Sequence, residues 1–158
     1  MNPEQTCSIE IMQYSLNIIL NTILAFIGSA LIGILLNNLP ETMLFIVSFS
    51  ILRLCSGGFH LKTSSACNIA TILLCSLTPY FFSITGNTGW IINAISLVIM
   101  ILFAPNPDKN AQIPRTLYPR LKLFSILLVG LNFWFGSAVI GLAYIAQSLT
   151  VIPWNRRL

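Results

Sequence analysis

The sequence predicts an all-α membrane protein, a polytopic bundle of about six transmembrane helices that forms a single domain over residues 1–158. Of the 158 residues, 56% are hydrophobic and only 8% are charged, whereas a soluble domain is about 25% charged. A soluble fold of this size cannot bury so much apolar surface. Long uncharged runs also alternate with short polar segments, as membrane spans alternate with their loops.

Six apolar runs give the predicted spans. The first begins at Leu16 and continues without charge for about 21 residues, the length that a helix needs to cross a bilayer. The uncharged stretch 123–152 is long for one span, so we predict a tight helical hairpin that turns near Gly136. The approximate spans are residues 16–36, 42–55, 67–84, 90–104, 122–135 and 138–153.

Positive charge predicts the orientation of these spans. With six of them, the 53–67 segment, the 105–122 loop and the C-terminus share one side and hold all eight Lys and Arg residues. Because cytoplasmic loops carry an excess of these residues, we expect that side, with both termini, to be cytoplasmic. A five-span alternative would place Arg156 and Arg157 outside. The net charge of +4 comes from few residues in apolar surroundings, which argues against binding of nucleic acid.

The cysteines do not have the spacing of a disulfide framework or a zinc site. Cys7, Cys55, Cys67 and Cys75 contain no C-x-x-C pair, and the chain has a single histidine. Structural zinc needs four Cys or His ligands, usually with close pairs in sequence. We therefore expect neither a metal nor a cofactor.

The histidine lies in a polar, glycine-broken stretch between two apolar runs, Arg53 to Cys67, with the sequence R-L-C-S-G-G-F-H-L-K-T-S-S-A-C. His60 and Cys67 are seven residues apart. On one straight helix their Cα atoms would be separated by about 10 Å along the axis, too far for an imidazole–thiol hydrogen bond. A working pair therefore needs a backbone break, for which Gly57 and Gly58 supply the freedom.

The residues before Cys67 suit the start of a helix. Thr63, Ser64 and Ser65 are good capping residues, and with Ser64 or Ser65 as the cap, Cys67 falls in the first helical turn. The helix dipole there favours a thiolate, and a histidine on the preceding loop completes a Cys–His nucleophile. The alternative is a non-catalytic membrane scaffold or peptide-transport component in which Cys67 is structural, since Cys is a common small core residue.

Two other cysteines fit a catalytic role less well. Cys55 lies before the glycines, near Arg53, with no capping sequence ahead of it. Cys75 lies two turns deeper than Cys67 in an apolar run and is expected to be a core residue.

The Arg53–Cys67 stretch resembles the Arg…Gly-Gly-aromatic-His…Cys signature of the accessory gene regulator B (AgrB) family. The later segment F-A-P-N-P-D-K-N-A-Q-I-P-R-T-L-Y-P-R-L-K is similar to the Pro- and Lys-rich segment of that family. The resemblance covers the chain from the first span to the end. The N-terminal part is shorter than is usual in the family.

This resemblance implies a cysteine endopeptidase in the cell membrane of a Gram-positive bacterium, acting in quorum sensing on a small amphipathic AgrD-like propeptide with an acidic C-terminal tail. It implies that Cys67 is the nucleophile and His60 the general base and acid, with Arg53, Gly57 and Gly58 as supporting residues. Cleavage passes through an acyl-enzyme thioester. A Cys or Ser of the peptide then attacks the thioester and gives a cyclic thiolactone or lactone. The resemblance also favours a homodimer.

Basic residues in and after the 105–122 loop complement the implied acidic tail. They are Lys109, Arg115, Arg120 and Lys122. We predict that they hold the tail; the alternative, of equal weight, is that they only fix the topology. No acid is an obvious third catalytic residue, because Glu41 is expected on the other side and Asp108 can approach only through the fold. Ser64, Ser65 or a backbone carbonyl is left to orient His60.

Overall fold

The computed structural model describes residues 9–59, 61, 63–82, 87–107 and 114–153, and these residues form six α-helices. A single 3-10 turn, Arg115–Leu117, precedes the fifth helix. The predicted all-α, six-helix architecture is confirmed, including the hairpin of the last two helices. The helices are α1 (Ile9–Leu35), α2 (Leu39–Ser56), α3 (Ser64–Phe81), α4 (Asn87–Phe103), α5 (Tyr118–Phe135) and α6 (Ala138–Val151).

Most of the helices begin earlier than the apolar runs suggest. α1 begins at Ile9 rather than at residue 16, and α5 begins at Tyr118 rather than at residue 122. Pro40 and Pro119 lie in the first turns of α2 and α5, where the fixed φ and the missing N–H of proline are well tolerated. The difference arises because hydropathy marks only the apolar part of a helix, whereas the helix itself continues into a polar first turn.

The α5–α6 hairpin turns at the predicted place. Gly136 ends α5 in a left-handed conformation with φ 62°, and its N–H donates to the carbonyl of Asn132 over 2.8 Å. The Ser137 hydroxyl then accepts from the N–H of Ile140 and caps α6. A left-handed residue followed directly by a helix cap reverses the chain within two residues.

Polar side chains lie in the interior of this bundle and apolar ones cover its surface. Trp134 is 89% exposed and Leu54 is 76% exposed, while Gln147 on α6 is fully buried. Membrane bundles have this arrangement because lipid solvates apolar side chains and small polar residues join the helices. The buried polar residues are Ser29, Thr42, Ser48, Ser56, Asn68, Ser76, Asn93, Ser96, Ser125, Asn132, Gln147 and Ser148.

Three of the described helices are long and apolar enough to cross a membrane: Ser15–Leu35 within α1, Leu39–Ser56 and Ser64–Phe81. The apolar helices Thr88–Phe103 and Ala138–Val151 are shorter. At 1.5 Å per residue, the 14 residues of α6 extend about 21 Å, less than the roughly 30 Å hydrocarbon core of a bilayer.

α2 and α6 are the central helices. One apolar cluster, which includes Phe45, Cys75 and Ala143, joins α1, α2, α3 and α6. A second, which includes Leu52 and Val129, joins α2, α4, α5 and α6. α2 and α6 therefore each contribute residues to both apolar clusters.

α4 and α5 are antiparallel, and this places the ends of the helices. Trp90, early in α4, contacts Phe133, late in α5, with ring centroids 5.5 Å apart. Nearby, Asn132 Nδ2 donates to Asn93 Oδ1 over 3.1 Å. The beginning of α5 therefore lies at the same end of the bundle as the end of α4.

Candidate functional site

The segment after α2 is held against the segment after α4. The N–H of Gly58 donates to the carbonyl of Asn106 over 2.9 Å, and the N–H of Asn106 donates to the carbonyl of Ser56 over 2.8 Å. Together they form an isolated parallel bridge between Gly57 and Asn106. The chain thus leaves α2 along a fixed path and not as a loose loop.

Both glycines are required by this path. Gly57 has φ 69° and Gly58 has φ 141°, in the region that L side chains avoid. A Cβ at Gly57 would lie 2.5 Å from the carbonyl oxygen of Asn106, and one at Gly58 would lie 2.6 Å from Thr150 Oγ1. These contacts leave no room for a side chain at either position.

Phe59 is the last described residue before His60, and both its N–H and its carbonyl form hydrogen bonds. Its N–H donates to the carbonyl of Thr150 over 2.7 Å. Its carbonyl accepts from Arg53 Nη2 over 3.0 Å. The backbone that leads into His60 is therefore tied to the end of α6 and to a side chain of α2.

Arg53 lies over this segment. In addition to its bond to Phe59, its Nη1 atom donates to Gln147 Oε1 at 3.4 Å, and its guanidinium carbon lies 5.8 Å from the ring centroid of Phe49. A planar guanidinium is suited to several partners at once. The supporting position expected for Arg53 thus corresponds to a brace on the backbone before His60.

Cys67 lies in the first turn of α3, as predicted, but the helix cap is Thr63 and not Ser64 or Ser65. Thr63 has an extended backbone, with φ −125° and ψ 145°, which lets its hydroxyl accept from the N–H of Ala66 over 3.2 Å. Its carbonyl accepts from the N–H of Cys67 over 3.1 Å. The Cys67 side chain is half-buried.

The backbone break required between His60 and Cys67 is present. α2 ends at Ser56, α3 begins at Ser64, and Phe59 and Leu61 are not helical. One straight helix through both residues is therefore excluded. His60 itself lies outside the described residues.

The other cysteines differ from Cys67 in their position. Cys55 is half-buried in the last turn of α2, before the glycines. Cys75 is fully buried in the apolar cluster shared by the helices around α2. Cys7 lies outside the described residues.

Three of the predicted tail-binding residues lie close together: Arg115 in the 3-10 turn before α5, and Arg120 and Lys122 near the beginning of α5. Arg115 and Arg120 are exposed and Lys122 is half-buried. Lys109 lies outside the described residues, as does Asp108. Glu41 lies 15 residues before Ser56 on α2, about 22 Å away along the helix axis, and so at the other end of the bundle.

The backbone from Ser56 to Phe59, here called the glycine segment, is held by partners that the sequence interpretation missed. Gln147 and Thr150 on α6, together with Asn106, supply most of its hydrogen bonds. Asn106 is itself held to α6, because its Nδ2 donates to the carbonyl of Val151 over 3.1 Å. One signal was available: Gln147 is an uncharged amide within the long apolar stretch 123–152, where polar residues are costly without a purpose.

Comparison with known proteins gives consistent matches. The family model described as Accessory gene regulator B matches residues 2–153. A "Putative AgrB-like protein" of Clostridium perfringens (strain SM101 / Type A) is 31% identical over 66% of this chain and 53% of its own length. The "Accessory gene regulator protein B" of Staphylococcus aureus (strain bovine RF122 / ET3-1) is 28% identical over 74% of this chain and 64% of its own length.

The chain spans about half the length of the first of these relatives, and 81% of "Putative AgrB-like protein 2" of Clostridium perfringens (strain 13 / Type A), with 25% identity over 90% of this chain. No solved structure matches it. The family match extends over nearly all of the chain and agrees with its apolar helices. The chain therefore belongs to the accessory gene regulator B family and is a membrane protein of the accessory gene regulator system.

Proposed function

We propose that this protein is a membrane cysteine endopeptidase that cleaves a small quorum-sensing propeptide, with Cys67 as the nucleophile and His60 as the general base and acid. The observation that carries the proposal is the arrangement of the 53–67 stretch. A glycine-broken backbone fixed by hydrogen bonds leads into His60, and a capped helix begins three residues before Cys67.

The chemistry follows from the residue types. The imidazole of His60 takes the proton of the Cys67 thiol, and the thiolate attacks the scissile carbonyl carbon. The C–N bond breaks, and the imidazolium protonates the leaving amine. The N-terminal part of the peptide remains on the sulfur as a thioester. A thiol or hydroxyl of that peptide then attacks the thioester, closes a thiolactone or lactone ring and returns the proton that restores the Cys67 thiol.

The half-buried position of Cys67 in the first turn of α3 supports this chemistry. A thioester persists long enough to cyclise only where water is kept away, and the partial burial of Cys67 limits the access of water.

The basic beginning of α5 supports a peptide substrate with an acidic C-terminal tail. Exposed Arg115 and Arg120 offer planar groups that pair with carboxylates. This end of the bundle also holds the end of α2 and the beginning of α3, so tail and scissile bond are bound at one end. We assign this end to the cytoplasm, because it carries the basic residues.

The test is co-expression with a candidate precursor, a short amphipathic peptide with an internal Cys or Ser and an acidic C-terminal tail. Wild type is expected to cleave it, and Cys67→Ser and His60→Ala are expected to abolish cleavage. Cys55→Ser is the matched control and should cleave as wild type does. If both active-site variants cleave normally, Cys67 and His60 are not the catalytic pair and the proposal is wrong.

A further inference from the structure

Gln147 joins α6 to the candidate site through both ends of its amide. It is fully buried, and its Nε2 atom donates to the carbonyl of Gly57 over 2.6 Å and to Ser56 Oγ over 3.0 Å. Its Oε1 atom accepts from Arg53 Nη1 at 3.4 Å and from Thr150 Oγ1 at 3.1 Å. Every partner belongs to, or directly braces, the backbone that leads from α2 into His60.

These four contacts need a neutral amide, because it offers both a donor and an acceptor, on a side chain as long as that of glutamine. A carboxylate has no hydrogen to donate to the Gly57 carbonyl, and an apolar side chain offers neither function. Burial of an amide without hydrogen-bond partners is unfavourable, and the contacts to this segment supply partners for both ends of the Gln147 amide. The same bonds hold Arg53 in place, and Arg53 in turn holds the carbonyl of Phe59.

We propose that Gln147 is a positioning residue for the proposed Cys–His pair: it holds the Gly57 carbonyl and the Arg53 guanidinium together, and so fixes the path of the backbone that precedes His60. This inference rests on the proposed function. It also makes α6 part of the site, although α6 contains none of the proposed reacting groups.

A purely structural role for Gln147 predicts a different outcome from a positioning role. Loss of a structural hydrogen bond lowers stability and leaves the chemistry of Cys67 alone. Loss of a positioning contact alters the partnership of His60 with Cys67 in protein that is still folded, because a displacement of about 1 Å can cost a factor of about 10² in a reaction.

The experiment measures alkylation of Cys67 by iodoacetamide as a function of pH, with the modified residue identified by peptide mapping of the full-length protein in detergent. Wild type and His60→Ala give the two reference profiles, since removal of the imidazole should shift the midpoint upward. Gln147→Met, close in shape but without the amide, should move the midpoint toward that of His60→Ala, with a rate at pH 7 about tenfold lower.

Ser148→Ala is the matched control. Ser148 is the next residue of α6 and is also fully buried, but its hydroxyl bonds to the carbonyls of Tyr144 and Ser96 rather than to the glycine segment. The pH profile of Cys67 alkylation in Ser148→Ala should coincide with that of wild type. Circular dichroism and size-exclusion chromatography establish which variants are folded.

Gln147→Glu supplies a second variant should the Met variant fail to fold. It keeps an acceptor for Arg53 and Thr150 but replaces the donor to Gly57 with a repelling oxygen. The positioning role predicts the same upward shift, whereas a role only as a partner of Arg53 predicts the wild-type profile.

The outcomes separate the two claims. If wild type and His60→Ala have the same profile, no Cys–His pair exists and the proposed function fails. If those two profiles differ and the folded Gln147 variants follow wild type, the function stands and the positioning role of Gln147 is wrong.

Discussion

At the scale of single residues, the turn after α2 depends on two glycines that have no substitute. Gly57 combines a positive φ with the carbonyl of Asn106 directly in front of it. A residue forced into such a conformation costs about 1–3 kcal/mol before any steric clash is counted. The strain would be relieved only by movement of the bridge to Asn106.

Gly57→Ala is therefore expected to lower the midpoint of thermal unfolding in detergent and to reduce precursor cleavage at least tenfold, since it displaces the backbone before His60. Gly130→Ala is the matched control. Gly130 lies inside α5, and a Cβ there has nothing within 4 Å. That variant should be unchanged or more stable by about 0.5–1 kcal/mol. Equal losses in both variants would contradict the role given to Gly57.

The cap of α3 is a second test on a single side chain. The Thr63 hydroxyl accepts from the N–H of Ala66, and loss of such a cap costs about 1 kcal/mol. Thr63→Ala should lower the free energy of unfolding by about that amount and slow alkylation of Cys67. Thr63→Ser keeps the hydroxyl and should restore both. If the Ser variant behaves as the Ala variant does, the cap does not act through its oxygen.

At the scale of the helices, hydrogen bonds between polar side chains fix how neighbouring helices are rotated against each other. Asn68 is the residue after Cys67 on α3, and its Nδ2 donates to Asn21 Oδ1 on α1 over 2.9 Å. Asn68 is buried. The bond fixes the rotation of α3 about its axis and therefore the side on which Cys67 emerges.

A double-mutant cycle tests this pair. Asn21→Ala and Asn68→Ala should each lower stability, and their coupling energy should be about 0.6 kcal/mol, the average for hydrogen bonds inside membrane proteins. Ser76→Ala is the control in combination with Asn21→Ala, because Ser76 bonds within its own helix to the carbonyl of Ile72. That combination should be additive, and coupling there would show that the cycle reports a general loosening of α3.

The helices themselves follow from local signals. Uncharged runs and the hairpin glycine at position 136 predict six helices, because hydropathy and turn chemistry act within a few residues. The break between His60 and Cys67 is predicted in the same way from Gly57, Gly58 and the capping residues. The predicted cap of α3, Ser64 or Ser65, lies one or two residues after the observed cap, Thr63, because all three adjacent residues carry a hydroxyl group that can cap a helix.

The partners of the glycine segment do not follow from local signals. The bond from Gln147 to Gly57 joins residues 90 positions apart in sequence, and the bridge from Gly57 to Asn106 depends on how α2 and α4 both pack against α6. Such contacts are set by tertiary packing, which pattern and propensity do not determine. The sequence therefore predicts candidate reacting residues and the backbone break between them, but not the contacts that hold the backbone before His60.

At the scale of the whole molecule, one end of the bundle combines the proposed nucleophile with a basic surface. Replacing Lys109, Arg115, Arg120 and Lys122 by Gln should raise the concentration of precursor needed for half-maximal cleavage and weaken its dependence on salt, since exposed charges act through a screened field. Arg156→Gln with Arg157→Gln is the control for net charge. Unchanged cleavage by the fourfold variant at physiological salt would show that these residues serve topology alone.

The central claim is that Cys67 carries the peptide as a thioester. The most direct measurement is intact-protein mass spectrometry, with peptide mapping, of protein co-expressed with an acidic-tailed precursor whose internal Cys or Ser is replaced by Ala, so that ring closure is blocked. The expected result is a hydroxylamine-sensitive adduct on Cys67 in wild type, which is absent from His60→Ala. A processed precursor with no adduct on Cys67, or an adduct on Cys55, would contradict the claim.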